Sequence, residues 1–173
     1  MRNCNKIRKA LPYRVITAAL LAVWMGIIFW FSAQPSAESS EMSGSLAYRI
    51  VADYNEVFHR GYSEGTIELY AERIDYPIRK AAHMTEYAIL AWLIMAVLRG
   101  YFYYGKKTLL ASVALAACYA STDEIHQLVV EGRAGRFSDV CIDTAGALLG
   151  LVLLHFLHLC YRKHCEKDGH QIK

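Results

Sequence analysis

The sequence predicts an all-α fold: an integral membrane bundle of four transmembrane helices, with a short amphipathic-helical extracytoplasmic segment between helices 1 and 2. Two observations predict it. Hydrophobic residues make up 55% of the 173 positions, and they are clumped into four runs, 15–31, 81–98, 108–130 and 140–161. Runs of about 20 mostly apolar residues suit membrane spans better than soluble core helices. The second observation is where the Lys and Arg residues fall between those runs.

The first span is expected at about 15–34. Arg2, Lys6, Arg8, Lys9 and Arg14 precede or open it. Its apolar run exceeds an ordinary signal-peptide core, and Phe31 suits no cleavage site, so an uncleaved helix is expected. Pro35 ends it. The outer connection, 35–78, opens with Ser36-Ala37-Glu38-Ser39-Ser40, which reads as loop. Leu46, Ile50, Tyr54 and Val57, then Ile67, Tyr70 and Ile74, follow helical spacing. They predict two short amphipathic helices on the membrane surface or on the bundle.

Pro77 precedes the second span, 79–98, which closes at Arg99-Gly100. Tyr101-Phe102-Tyr103-Tyr104 then reads as an interfacial belt, with Lys106 and Lys107 beyond. The third span is 108–130 and the fourth 139–161, the latter carrying Gly146-x-x-x-Gly150, a face for close helix contact. The loop 99–107 holds three Lys or Arg and the tail 162–173 holds four, whereas the five of segment 36–80 are diluted among acids. That alternation predicts a multi-pass plasma-membrane protein with both termini cytoplasmic. The five cysteines form no Cys-x-x-Cys pattern and are expected as buried small hydrophobes. No basic-aromatic pattern points to nucleic acid.

The third span carries the main anomaly. Its uncharged part, 108–122, is too short to cross alone, so the helix must continue through Asp123-Glu124-Ile125-His126-Gln127. Asp123 then sits roughly 22 Å from the Thr108 end, at ~1.5 Å per residue, inside a core ~30 Å thick. Charged groups at such depth are expensive and functional by default. The other spans raise polar residues to the same outer third: Ser32 and Gln34 on the first, Lys80, His83 and Glu86 on the second, Asp139 and Asp143 on the fourth. Lys80, His83 and Tyr87 share one helix face; Asp123, His126 and Gln127 another; Asp139, Asp143 and Gly146 a third. The short loop 131–136 makes spans three and four antiparallel neighbours, with Arg133 and Arg136 able to fold over the acids. His155, His158 and His164 fall at the opposite, cytoplasmic end. Transport is not expected, because no polar residue marks the middle of spans one, three or four.

Taken together, Phe31-Ser32-Ala33-Gln34-Pro35, Arg79-Lys80-Ala81-Ala82-His83 with Glu86-Tyr87, Asp123-Glu124-Ile125-His126-Gln127, Arg133, Asp139 and Asp143-Thr144-x-Gly146-x-x-x-Gly150 resemble the VanZ-like family of bacterial membrane proteins. The likeness covers about 15–155. Position 143 is often Asn in that family, so Asp143 is a departure. The family is named for low-level resistance to teicoplanin, a lipoglycopeptide aimed at cell-wall precursors on the outer leaflet. The resemblance therefore implies a cell-envelope role, and it supplies no reaction.

Three functions fit. In the first, a membrane protein binds or processes a lipid-linked envelope component. Lys80, Arg133 and Arg136 meet its phosphate or carboxylate groups; Gln34, Tyr87, Glu124, Gln127, Asp139 and Asp143 complete the binding set. In the second, an intramembrane enzyme uses His83 or His126 as general base, oriented by Glu86 or Asp123. In the third, the same pairs only lock the bundle. The spacings match no standard metal signature, and neither metal nor cofactor is expected. The expected partner is a membrane lipid or lipid-linked cell-wall component.

Overall fold

The computed structural model describes residues 10–170, with side chains described as far as residue 161. Arg2, Lys6, Arg8, Lys9 and Cys4, and the side chains of His164, Cys165 and the basic tail, lie outside the described residues. The described chain is helical throughout, with five helices: α1 Leu11–Ser32, α2 Ser36–Val57, α3 Glu64–Tyr101, α4 Lys106–Gln127 and α5 Phe137–His170. Helix α3 is the hub and packs against each of the other four.

Pro12 lies in the first turn of α1, where its missing N–H costs nothing. The helix stops at Ser32, two residues short of the expected 34, because a residue before proline avoids the α region. The Ser-rich stretch is not a loop. Helix α2 begins at Ser36 directly after Pro35; proline disfavours helix on its N-terminal side only.

Residues 64–76 are not a separate surface helix either. They run without a break into the second span, with Pro77 inside α3. Proline removes one backbone bond, but Arg73, whose carbonyl is the one freed four residues back, faces outward, where that carbonyl can meet water. A hydrophobic cluster of Ala47, Val51, Ile67 and Ala71 clamps the N-terminal part of α3 to α2. At ~1.5 Å per residue, α3 is roughly 57 Å long, about twice the hydrocarbon thickness of ~30 Å.

The main core is Ile28, Tyr87, Leu90, Ala91, Ile94 and Met95 packed on Ala116, Ala120, Ala147 and Leu151. Small residues on α4 and α5 let the backbones approach. A Cβ on Gly146 would fall on the Met84 backbone, and one on Gly150 would come within 2.8 Å of Ala88 Cα. Trp92 donates to the Gly150 carbonyl at 2.6 Å. At one end Arg14 donates to the Gly100 carbonyl at 3.0 Å; at the other, Ser32 meets Asp123. Helices α1 and α4 therefore run one way and α3 the other.

Among the described residues, three helices are long and apolar enough to cross a membrane: α1, α3 and Phe137–Tyr161 of α5. Helix α4 falls short in hydropathy because it buries a stripe of small and polar residues, Thr108, Ser112, Ala116, Ala120, Glu124 and Gln127. Outward faces are apolar, as at Val15, Ile16, Leu20, Leu149 and Val152, which suits a lipid surround. The cysteines correct an expectation: Cys118, Cys141 and Cys160 are exposed and free. On helices with apolar outer faces a thiol is not forced inward.

Candidate functional site

The polar residues converge at the Ser32 end of α1, where α3 passes α4, α5 and the 131–136 loop. Ser32 donates to Asp123 Oδ2 at 2.6 Å, and Gln127 Nε2 donates to the same oxygen at 3.2 Å. Asp123 is 3% exposed, so this triad replaces the water its carboxylate would otherwise need. Lys80 Nζ pairs with Asp139 Oδ2 at 2.7 Å, joining α3 to the first turn of α5. Glu124 Oε2 accepts the backbone N–H of Arg136 at 2.8 Å.

The loop is held from the α1 side as well. Arg133 donates through Nε to the Gln34 carbonyl at 2.9 Å and through Nη2 to the Phe31 carbonyl at 3.2 Å. These carbonyls lie where α1 runs out of its own donors. The arginine thus caps α1, with the Asp123, Glu124 and Glu86 carboxylates within electrostatic range. Burial lowers its pKa, while the nearby Asp123 carboxylate works in the opposite direction. The Glu131 carbonyl accepts the Ser36 N–H at 3.2 Å. Gly132 makes the turn at φ +70° against the Ser36 side chain, a conformation open to glycine at little cost.

These ties enclose a chamber of about 280 Å³. Lys80, His83, Glu124, Gln127, Arg133 and Arg136 line it, and so do Asp139 and Asp143. Asp143 is 2% exposed. An apolar groove of about 220 Å³ adjoins the chamber and is lined by Glu86 and Gln34 among others.

Five of the sequence-selected residues lie off the chamber wall: Gln34 and Glu86 line the groove instead, and Tyr87, Asp123 and His126 line neither. Tyr87 is fully buried in the core, Asp123 sits behind Gln127, and His126 stacks on Phe29 with ring centroids 4.4 Å apart. His83 Nδ1 stands 3.7 Å from Glu86 Oε2, too far for a hydrogen bond. Among the described residues, no three His, Cys, Asp or Glu side chains are grouped as a metal site requires.

Sequence reasoning passed over Ser36, Ser39, Tyr76 and Arg79, all on the chamber wall. A signal for the serines existed: Ser36, Ser39, Ser40 and Ser43 follow i, i+3, i+4, i+7, one helix face. Arg79 reaches across to that face, donating to Ser40 and Ser43 at 3.1 Å each and to Asp75 at 2.8 Å. Asp75, Arg79, His83 and Tyr87 form an i+4 column down α3, and each carries a buried polar atom with no hydrogen-bond partner: Oδ1, Nε, Nδ1 and OH.

The family model described as VanZ/LLP1 matches residues 17–158. No curated protein and no solved structure matches the chain.

Proposed function

This chain belongs to the VanZ/LLP1 family, and from that membership we propose a bacterial cell-envelope membrane protein whose chamber binds a lipid-linked envelope component. Helix α4 serves as the third of four spans, its polar stripe turned to the other helices. Both termini are cytoplasmic, and the chamber opens in the outer-leaflet third. The carrying observation is the chamber itself. Four cations (Arg79, Lys80, Arg133 and Arg136) and three carboxylates (Glu124, Asp139 and Asp143) share one cavity. Lys80 and Arg79 have carboxylate partners, as a structural lock would provide, but a lock would also fill the space, since interiors are close-packed. Here the space stays open and Asp143 lines it.

Teicoplanin-type resistance is the phenotype through which such binding would be read. Lys80→Ala and Asp143→Ala should each abolish any protection against teicoplanin conferred by the wild-type protein, at wild-type abundance. Protection that falls only in step with abundance would leave the structural reading in its place.

A second reading, an acid/base enzyme on an outer-leaflet lipid-linked substrate, draws support from His83. Its Nδ1 is buried without a hydrogen-bond partner at the cavity wall. His83→Gln keeps hydrogen-bonding capacity but removes proton transfer near neutral pH. The enzyme reading predicts complete loss of protection for this variant, whereas the binding reading predicts partial retention.

A further inference from the structure

The chamber and the apolar groove are two compartments that meet. Ser39, Arg79, His83 and Arg133 line both of them. Beyond this seam the groove is walled by Phe31 from α1, Met42 and Leu46 from α2, and Ile78 and Ala82 from α3. Met42 is 52% exposed and Leu46 49% exposed. On helix α2, whose Ala47, Tyr48, Val51 and Ala52 pack in the cluster shared with α3, Met42 and Leu46 face the groove.

The seam itself carries two guanidinium groups, Arg79 anchored on Ser40, Ser43 and Asp75, and Arg133 on the Gln34 and Phe31 carbonyls. Its one acidic neighbour in the groove is the Glu86 carboxylate, 3.7 Å from His83. Arg79 Nε and His83 Nδ1 are both buried and without a hydrogen-bond partner. The Arg79 Nε–H is a buried donor that calls for an acceptor, and His83 Nδ1 is another in the tautomer that carries its hydrogen there. Arginine presents its N–H groups in a fork that matches phosphate.

We propose that the site takes one amphiphile across both compartments: a phosphate monoester or diester at the Arg79–His83–Arg133 seam, its hydrocarbon chain in the groove against Met42, Leu46 and Ala82, and its polar remainder in the chamber. This rests on the binding function proposed above and assigns the ligand its class, a lipid phosphate. It gives α2 a role the family match does not supply. Helix α2 forms one wall of the chain compartment, so its apolar residues select chain length.

The test uses the full chain in nanodiscs of phosphatidylcholine and a series of alkyl phosphates from methyl to dodecyl, with empty nanodiscs subtracted. Affinity should rise about fourfold per methylene, the free energy of ~0.8 kcal/mol per buried CH₂ converted to a ratio, and then level off when the groove is full. Leu46→Trp and Ala82→Trp, from opposite walls, should move the levelling point to shorter chains. Leu148→Trp, on an outward face of α5, should leave the series as in the wild type. Alkyl glucosides of the same lengths should bind at least tenfold more weakly.

Methyl phosphate binding with no rise along the series would overturn the groove as chain compartment and leave the chamber as a binding site. Equal binding of glucosides and phosphates would overturn the phosphate. No binding of any alkyl phosphate would also overturn this assignment. The chamber's function would then be judged separately by the susceptibility of the Lys80 and Asp143 variants.

Discussion

Ser32, the last residue of α1, donates a 2.6 Å hydrogen bond to Asp123 of α4, 91 positions away. Both residues are buried, at 1% and 3% exposure. This bond ties the end of the first span to the residue whose depth in the membrane the sequence makes anomalous. Ser32→Ala should therefore lower stability by about 1–2 kcal/mol, the loss of the shorter of the two hydrogen bonds on Asp123 Oδ2, with Gln127 keeping the other. Thr122→Ala, on the exposed side of α4, should stay within about 0.5 kcal/mol of wild type. Thermal unfolding in detergent compares the two.

Gly146 and Gly150 set the distance between α3 and α5. Gly146→Ala would place its Cβ on the Met84 backbone, and the resulting shift should cost about 1–3 kcal/mol. Gly146→Leu should cost far more and abolish folded yield. Leu148→Ala, on the outer face, should fold at near wild-type yield. Size-exclusion profiles of the three proteins decide it, and equal yields would mean that α3 and α5 do not approach as closely as described.

Arg133 holds two carbonyls at once, Gln34 through Nε and Phe31 through Nη2. A lysine is a point donor and cannot reproduce that fork. Arg133→Lys should therefore recover only part of the thermal stability that Arg133→Ala loses. Full recovery would show that the positive charge alone is what α1 needs.

The two histidines differ in place, and their variants should differ in effect. His83 lines the chamber, whereas His126 stacks on Phe29 away from it. His83→Gln should reduce protection against teicoplanin at normal abundance, and His126→Gln should retain it. The opposite ranking would move the site to the Phe29 side of α4.

Orientation follows from the Lys and Arg distribution. In a cysteine-free background, a cysteine replacing Ser45 of α2 should react with an impermeant thiol reagent on intact cells. One replacing Gly105, between α3 and α4, should not. The reverse labelling would turn the chamber toward the cytoplasm and remove the outer-leaflet reading.

Much of this was legible along the chain. Apolar runs of membrane length marked α1, the second half of α3 and α5, because lipid demands long uninterrupted helices with every backbone bond made internally. The charged residues near one end of each run marked the level of the chamber, since a fixed rise per residue converts position into depth. Gly146 and Gly150 marked the contact of α5 by the same logic of size.

Tertiary structure alone decided the rest. The path of 36–77 depended on packing: α2 starts at a serine stretch with loop composition, and α3 passes through Pro77, because Ala47, Val51, Ile67 and Ala71 bury one another. That energy is non-local and outweighs the propensities of single residues. Depth, likewise, could bring Asp123, His126, Lys80 and Asp139 to one level but could not say which would touch. Helix rotation settled it, turning His126 to Phe29, Asp123 to Ser32 and Lys80 to Asp139. The chamber exists because those rotations leave a space between α3, α4, α5 and the loop. A space is a property of the elements around it, and no run of residues encodes it by itself.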